Sequence, residues 1–261
     1  MQITVFASGS TGNCYAVSDG KTNILIDAGI SLRRITAGLK ELALTPDDLA
    51  GVLITHEHSD HVSGLPMLLK HYKLPVYATH TVANRLIGAM PAAGDALELI
   101  GCGESFDVGS VNIKAFHTPH DSADSVGYRL EDGKVLSFAT DTGCVTDEML
   151  SGLMGADTAV IEANHDLEML RSGAYPVFLK RRILSDSGHL SNDNCGELAK
   201  TLAENGTKRI VIGHLSRENN SPDKARTTVE RALSHMDAQL FVAPAFGCLT
   251  VPVGETSPCC V

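Results

Sequence analysis

Five short apolar segments of this chain lead into a histidine, an aspartate or a glutamate, and this pattern limits the folds that the chain can adopt. The segments at 52–55, 111–116, 136–139, 160–161 and 210–212 come before His56, His120, Asp141, Glu162 and His214. Because strand ends in layered α/β folds converge on one edge, we expect these side chains to meet there. A single histidine after a strand is more often structural than a ligand. Five such positions together predict a shared metal site.

The densest of these positions is the run His56-Glu57-His58-Ser59-Asp60-His61. Imidazole nitrogens and carboxylate oxygens suit Zn²⁺, Mn²⁺ or Fe²⁺, and the run has no cysteine that would indicate a thiolate site. His56 and His58, at alternate positions of an extended loop, can face one metal, whereas the adjacent Asp60 and His61 can diverge toward a second. Two ions roughly 3.5–4 Å apart would turn a shared water into hydroxide near neutral pH. A carboxylate from another strand should bridge them, and Asp141 is the best candidate.

The remaining pattern predicts one α/β domain over residues 1–261. With 43% hydrophobic and 20% charged residues, the composition is that of a compact globular protein. Strand-like segments form two groups, at 3–6, 14–18 and 23–27 and again at 111–116, 126–130 and 135–139. Helical periodicity flanks them at 31–42, 65–72, 166–185 and 191–205. The dipeptide Asp19-Gly20 is a hairpin signal. We therefore expect a four-layer αββα sandwich with helices on the outer faces.

Charge and cysteine content narrow the class of protein. The net charge of −10 opposes binding to polyanions through overall charge, so any nucleic-acid contact has to be local. The run Lys180-Arg181-Arg182 is a candidate for such a contact, although a solvated helix face explains it as well. The N-terminus lacks signal-peptide features and no apolar stretch is long enough to span a membrane, so we expect a cytoplasmic protein without membrane contact. The 7 scattered cysteines indicate reduced thiols, and Cys259 and Cys260 receive no role.

The run at 56–61 is similar to the HxHxDH signature of the metallo-β-lactamase superfamily. Further matches follow in the family's order, at 25–29, His120, 140–142 and 213–216. The resemblance implies the family's αββα sandwich with two metal sites, the first held by His56, His58 and His120, and the second by Asp60, His61 and His214. Asp141 would bridge the two, and Asp27 would support the ligands by hydrogen bonds, unless it is only a turn residue before Gly29. His117 remains the alternative to His120.

Segments 7–14, 162–166, 188–192 and 213–220 resemble the bacterial YycJ/WalJ-type branch of that superfamily, and the likeness spans residues 1–250. The branch implies action on phosphodiesters, with DNA exonuclease activity. Glu162 and His189 also look like the glutamate and histidine of tRNA 3′-processing ribonucleases. There, a histidine backed by a carboxylate passes a proton to the leaving alkoxide. Alternatively, Glu162 has a structural role as a helix cap and His189 is an ordinary surface residue.

These observations together predict a dinuclear metal-dependent phosphodiesterase, a DNA exonuclease in which metal-bound hydroxide attacks phosphorus and Asp60, Glu162 and His189 take part in catalysis. Zinc or manganese is the expected metal, and iron stays open. Candidate substrate contacts are Ser10, Asn13, His165, Lys180, Arg181 and Arg217. The alternatives are a hydrolase of a small ester, lactone, thioester or cyclic phosphodiester, and a di-iron redox or ligand-sensing protein. The oligomeric state is open, with a dimer among the options.

Overall fold

The computed structural model describes residues 1–122 and 124–254, and within them fourteen strands form two seven-stranded sheets. The first sheet has the strand order β14-β1-β2-β3-β4-β5-β6, with β1 Gln2–Ala7, β2 Cys14–Ser18, β3 Asn23–Ile26, β4 Gly51–Leu53, β5 Val76–Thr79, β6 Leu97–Ile100 and β14 Leu249–Pro252. The second has the order β13-β12-β11-β10-β9-β8-β7, with β7 Ser105–Val108, β8 Val111–His117, β9 Val126–Glu131, β10 Val135–Ala139, β11 Thr158–Glu162, β12 Arg209–Gly213 and β13 Gln239–Val242.

Each sheet has an antiparallel part and a parallel part. Strands β1, β2 and β3 pair antiparallel, with β2 and β3 joined at the predicted Asp19-Gly20 hairpin, and β3 to β6 are parallel. In the second sheet β7 to β10 are antiparallel and β10 to β13 are parallel. The parallel register pairs Ala139 with Ile161 and Ile161 with Ile212. The residues just beyond these positions therefore emerge side by side at one edge.

Helices cover the outer face of each sheet. Helices α1 Leu32–Glu41, α3 Leu65–His71 and α4 His80–Ala89 contribute apolar side chains to a core on the first sheet. Helices α5 Asp147–Leu153, α8 Asn192–Glu204 and α9 Pro222–Ala232 do the same on the second. A third core joins the inner faces of the two sheets, with Tyr15, Tyr128 and Phe138 among its largest fully buried members. The predicted αββα sandwich is confirmed.

The helix predictions differ from the structure in one respect. The predicted helical stretch at 166–185 is two helices, α6 Leu167–Ser172 and α7 Val177–Ile183, because Gly173 ends the first and Pro176 begins the second.

The short helix α2 Ser59–Val62 begins inside the histidine run. No helix in the two described ranges is long and apolar enough to cross a membrane. Cys259 and Cys260 lie outside the described residues.

Candidate metal centre

The strand-end side chains meet at one edge of the two sheets. His56 follows β4, Asp141 follows β10, Glu162 is the last residue of β11, and His214 follows β12. The two sheets are tied together at this edge by Ser8, whose Oγ contacts the Tyr15 hydroxyl at 2.7 Å and accepts a hydrogen bond from the His214 backbone N–H at 2.7 Å. The ligand positions are thus fixed by the backbones of both sheets.

The first ligand group consists of His56, His58 and His120, whose candidate ligand nitrogens lie within 4.8 Å of one another. Nε2 of His56 lies 3.1 Å from Nδ1 of His58. The other ring nitrogens face partners outside the group: Nδ1 of His56 is 3.0 Å from the Thr55 hydroxyl, and Nδ1 of His120 is 3.2 Å from the Gly188 carbonyl. The remaining lone pairs are therefore free to converge on one ion.

The second group consists of Asp60, His61 and His214, again within 4.8 Å. Oδ2 of Asp60 lies 3.5 Å from Nε2 of His61 and 3.6 Å from Nε2 of His214. Each imidazole is held from behind by a buried carboxylate. Nδ1 of His61 is 2.7 Å from Oδ2 of Asp27, and Nδ1 of His214 is 2.7 Å from Oε1 of Glu162. Such carboxylate partners fix the ring orientation and leave Nε2 for the metal.

Asp141 lies between the two groups. Its Oδ2 is 3.3 Å from Nε2 of His61, and its Oδ1 is 3.4 Å from Nε2 of His214 and 3.9 Å from Nε2 of His120. Within the described residues, Oδ2 of Asp141 and Nε2 of His214 are buried without a hydrogen-bond partner. Buried polar atoms without partners are costly, and a cation between them removes that cost. The donor set, with nitrogen and oxygen but no sulfur, fits divalent metal ions.

The backbone is strained at three of these positions. Asp27, Asp141 and His214 have φ angles of 59°, 56° and 54°, in the left-handed region that favours glycine. Residues other than glycine persist there when the surroundings hold them, and such strain clusters at functional sites. The backbone at Gly29 also lies very close to the backbone at Asp60. A Cβ on Gly29 would lie 1.6 Å from the Asp60 carbonyl oxygen. Only glycine permits this contact.

Glu162 and His189 form a pair beside the ligands. Oε1 of Glu162 lies 2.8 Å from Nδ1 of His189 and also holds His214, while its Oε2 accepts the backbone N–H groups of Thr142 and Leu190 at 3.1 and 3.2 Å. Burial raises the pKa of Glu162, but the two imidazoles bring it down to about 2. Burial alone would lower the pKa of His189. The negative charge of Glu162 more than offsets the effect of burial, so the pKa of His189 is raised above its ordinary value. Glu162 is therefore no helix cap, and one carboxylate serves both a ligand and the candidate acid.

A cavity of about 170 Å³ opens over this centre, lined by Ser10, His120, Tyr175, Arg182, His189 and His214 among others. Two further residues lie beside the ligands: Arg182 of the predicted basic run, which lines the cavity, and Asp121, which was not predicted as a site residue. Asp121 Oδ1 is 3.1 Å from Nε2 of His120, and Arg182 forms an ion pair with the other oxygen of Asp121. The position of Asp121 directly after a ligand was the available signal. Arg182 is the member of the basic run that reaches the centre.

The other predicted substrate residues lie in different surroundings. Asn13 is buried, and its amide group contacts Asp60 Oδ2 at 3.3 Å and His61 Nε2 at 3.0 Å. The glycine-rich loop around it is a tight turn, with the Gly12 N–H bonded to the Gly9 carbonyl. His165 is buried at 1% exposure.

The predicted basic residues Lys180, Arg181 and Arg217 also lie in different surroundings. Lys180 donates to the carbonyls of Arg171 and Gly173, both at 2.7 Å, and so closes the end of α6. Arg181 is exposed on α7. Arg217 packs over the Phe246 ring, 4.5 Å from its centroid. His117 is absent from the metal centre and contacts Asp124 and Glu148 instead.

Comparisons with known proteins identify the family of the chain. The family model for a beta-lactamase superfamily domain matches residues 22–215. Exodeoxyribonuclease YycJ of Bacillus anthracis is 39% identical over 237 residues, covering 89% of each chain. Exodeoxyribonuclease WalJ of Streptococcus pneumoniae serotype 2 is 39% identical over 240 residues, covering 90% of this chain and 88% of that relative.

Among solved structures, zinc-bound PqqB of Methylobacterium extorquens superposes with a TM-score of 0.75 at 22% identity, covering 97% of this chain and 100% of that chain. That likeness supports the fold alone. The family match spans most of the chain, and the identity to YycJ and WalJ extends over nearly its full length. The chain therefore belongs to the metallo-β-lactamase superfamily and, within it, to the YycJ/WalJ-type proteins.

Proposed function

We propose that this protein is a metal-dependent exodeoxyribonuclease that hydrolyses phosphodiester bonds in DNA with two divalent ions, zinc or manganese, as cofactors. The observation that carries the proposal is the Glu162–His189 pair beside seven clustered ligands. Phosphodiester hydrolysis needs both a cationic centre and an acid for the leaving oxygen. The relatives named exodeoxyribonucleases, at 39% identity, favour DNA as the substrate.

The two ligand groups would hold the ions, and Asp141, which contacts histidines of both groups, would be available to each. When bound, such ions supply a nucleophile derived from water and neutralise charge on the phosphoryl oxygens. Asp60 has a further role in this proposal. The Asn13 amide holds its Oδ2 at 3.3 Å, which fixes the carboxylate as a hydrogen-bond acceptor for the attacking water.

His189 acts as the general acid. Because Glu162 accepts the hydrogen bond from Nδ1 at 2.8 Å, the proton that can be transferred sits on Nε2. Glu162 raises the pKa of His189, which favours the protonated imidazole, and the low pKa of Glu162 keeps the carboxylate charged beside it. Nε2 of His189 passes its proton to the oxygen that leaves phosphorus.

Exposed aromatic rings with arginines nearby also support a polynucleotide substrate. Phe246 is 51% exposed, and the guanidinium carbons of Arg34 and Arg217 lie 4.6 and 4.5 Å from its ring centroid. On α7, Phe178 is 74% exposed and lies near Arg182 in sequence. Aromatic rings beside arginines are typical of single-strand binding surfaces, where bases stack and guanidinium groups hold phosphates. This local arrangement offsets the unfavourable net charge of −10.

Incubation of the metal-loaded protein with 5′-labelled and 3′-labelled DNA tests the proposal. We expect stepwise shortening from one end, with Asp141→Ala as the inactive control. Turnover of bis-p-nitrophenyl phosphate without any DNA shortening would instead favour a hydrolase of small esters. Iron with visible absorbance and no hydrolysis would favour the di-iron redox alternative. A cytoplasmic location and a single domain over residues 1–261 belong to the same proposal, and fractionation and limited proteolysis test them.

A further inference from the structure

A second cluster of ligand-type side chains lies outside the catalytic centre. Cys102 follows β6, His117 ends β8, and Asp124 lies in the loop before β9, yet the sulfur, a ring nitrogen and a carboxylate oxygen all lie within 4.8 Å of one another. Cys102 is positioned by the backbone, since it bridges to Ala115 on β8 and the Gly103 N–H donates to the Ala115 carbonyl at 2.9 Å. We propose that Cys102, His117 and Asp124 form a further zinc site, with Glu148 holding His117 in its ligand orientation.

The orientation of His117 supports this assignment. Oε1 of Glu148, in the first turn of α5, accepts hydrogen bonds from both the backbone N–H and Nδ1 of His117, each at 2.9 Å. With its proton on Nδ1, the neutral imidazole presents the Nε2 lone pair on the other side. There Nε2 lies 3.4 Å from Oδ1 of Asp124. A carboxylate behind a histidine is the usual support of a zinc ligand.

The charge around the cluster is negative. Within residues 1–122 and 124–254, neither Asp124 nor Glu148 forms an ion pair with a lysine or an arginine. Burial and then the two carboxylates raise the pKa of the Cys102 thiol to about 12. A divalent cation would relieve this repulsion and displace the thiol proton.

The ligand set specifies the metal. One thiolate, one imidazole and one carboxylate suit zinc, which takes four tetrahedral ligands and leaves one position here for water. Bond lengths of about 2.3 Å to sulfur and 2.0 Å to nitrogen place those two atoms about 3.5 Å apart in a tetrahedral site. Because the sulfur and the nitrogen lie within 4.8 Å, closing the cluster needs a shift of at most about 1.3 Å, which the His117 side chain, 52% exposed, can make.

A metal at this site would hold the loop that carries the catalytic ligand His120. His117 and Asp124 are the two ends of the loop that contains His120. Next to those ends, the Thr118 N–H donates to the Ser125 carbonyl and the Thr118 hydroxyl donates to the Ser125 Oγ, both at 2.9 Å. A metal that joins both ends would fix the base of this loop. The inference is independent of the proposed function, because it concerns metal binding alone.

Cobalt substitution tests the proposal directly. The catalytic ligands are histidine and aspartate only, so any absorption band from thiolate-to-Co²⁺ charge transfer reports a cysteine site. We expect the wild-type protein to show this band and to bind one Co²⁺ more per chain than Cys102→Ser. The matched control Cys248→Ser, at an exposed cysteine, should keep the band, as should a double variant with Cys259→Ser and Cys260→Ser.

Glu148→Gln provides a milder test, since it keeps all three ligands and changes an exposed residue. We expect the band to remain but the Co²⁺ affinity of this site to fall roughly tenfold to a hundredfold. Absence of the band in the wild-type protein would overturn the proposal. So would a band or a metal content that Cys102→Ser leaves unchanged.

Discussion

In the metal centre the functional side chains are buried or half-buried, and the second ring nitrogen of each ligand histidine faces a polar partner. We propose that two groups of exposed side chains form a substrate-binding rim around it: Phe246 with Arg34 and Arg217, and Arg182, which pairs with Asp121. The difference implies that the centre and the rim have separate roles in catalysis and in substrate binding. The centre should set the rate with every phosphodiester, whereas the rim should affect only substrates long enough to reach it.

The largest effect should come from the carboxylate between the two ligand groups. Asp141→Ala removes the group that contacts both sets and leaves a cluster of imidazoles without it. We expect activity at background level with DNA and with bis-p-nitrophenyl phosphate, together with loss of bound metal in elemental analysis. Full metal content in this variant would contradict its bridging role.

The next effect should come from the acid. His189→Ala should lower kcat on the order of 10²- to 10⁴-fold and keep the metal, since His189 lies beside the ligands and is not one of them. Because Glu162 raises the pKa of His189 against the effect of burial, the protonated form persists above its usual range. In the wild-type protein kcat/KM should fall as pH rises through that raised pKa.

In His189→Ala this alkaline fall should be absent. The pH profiles of the two proteins, measured with the same metal, check the assignment. An unchanged alkaline limb in the variant would remove His189 from the proton transfer.

A smaller and more selective effect should come from the rim. Phe246→Ala removes the ring between two guanidinium groups, and a stacked base is worth about 1–3 kcal/mol. We expect KM for single-stranded DNA to rise about tenfold, with kinetics on bis-p-nitrophenyl phosphate unchanged. Leu99→Ala, at a residue 61% exposed on β6, is the control and should change neither. Equal losses on both substrates in Phe246→Ala would erase the distinction between rim and centre.

The smallest effect should come from Lys180, whose ammonium group closes the end of α6. Lys180→Met removes two hydrogen bonds to carbonyls and should lower the free energy of unfolding by about 1 kcal/mol, with KM for DNA unchanged. Arg182→Met should show the reverse pattern. Denaturant unfolding and steady-state kinetics on both variants separate the two roles, and a raised KM in Lys180→Met would return Lys180 to the substrate contacts.

The buried centre could be predicted from the sequence far better than the rim. Ligands at strand ends follow from local pattern, because parallel strands bring their carboxyl ends to one edge whatever the loops do. The αββα layers followed from the same strands. Helices α4, α5 and α9 were not predicted.

The rim depends on tertiary packing that no local pattern encodes. Arg34, Arg217 and Phe246 are distant in the chain and meet only in the fold, and the left-handed backbone at Asp141 and His214 has no sequence signal. The roles of Lys180 and Arg182, two residues apart, differ because α7 begins at Val177 and turns them in different directions.

Anomalous diffraction from crystals loaded with Mn²⁺ or Zn²⁺ locates the metal ions directly. We expect two strong peaks at the strand-end edge, one among His56, His58 and His120 and the other among Asp60, His61 and His214. Asp141 should reach both. A single peak, or peaks that Asp141 does not contact, would contradict the dinuclear centre.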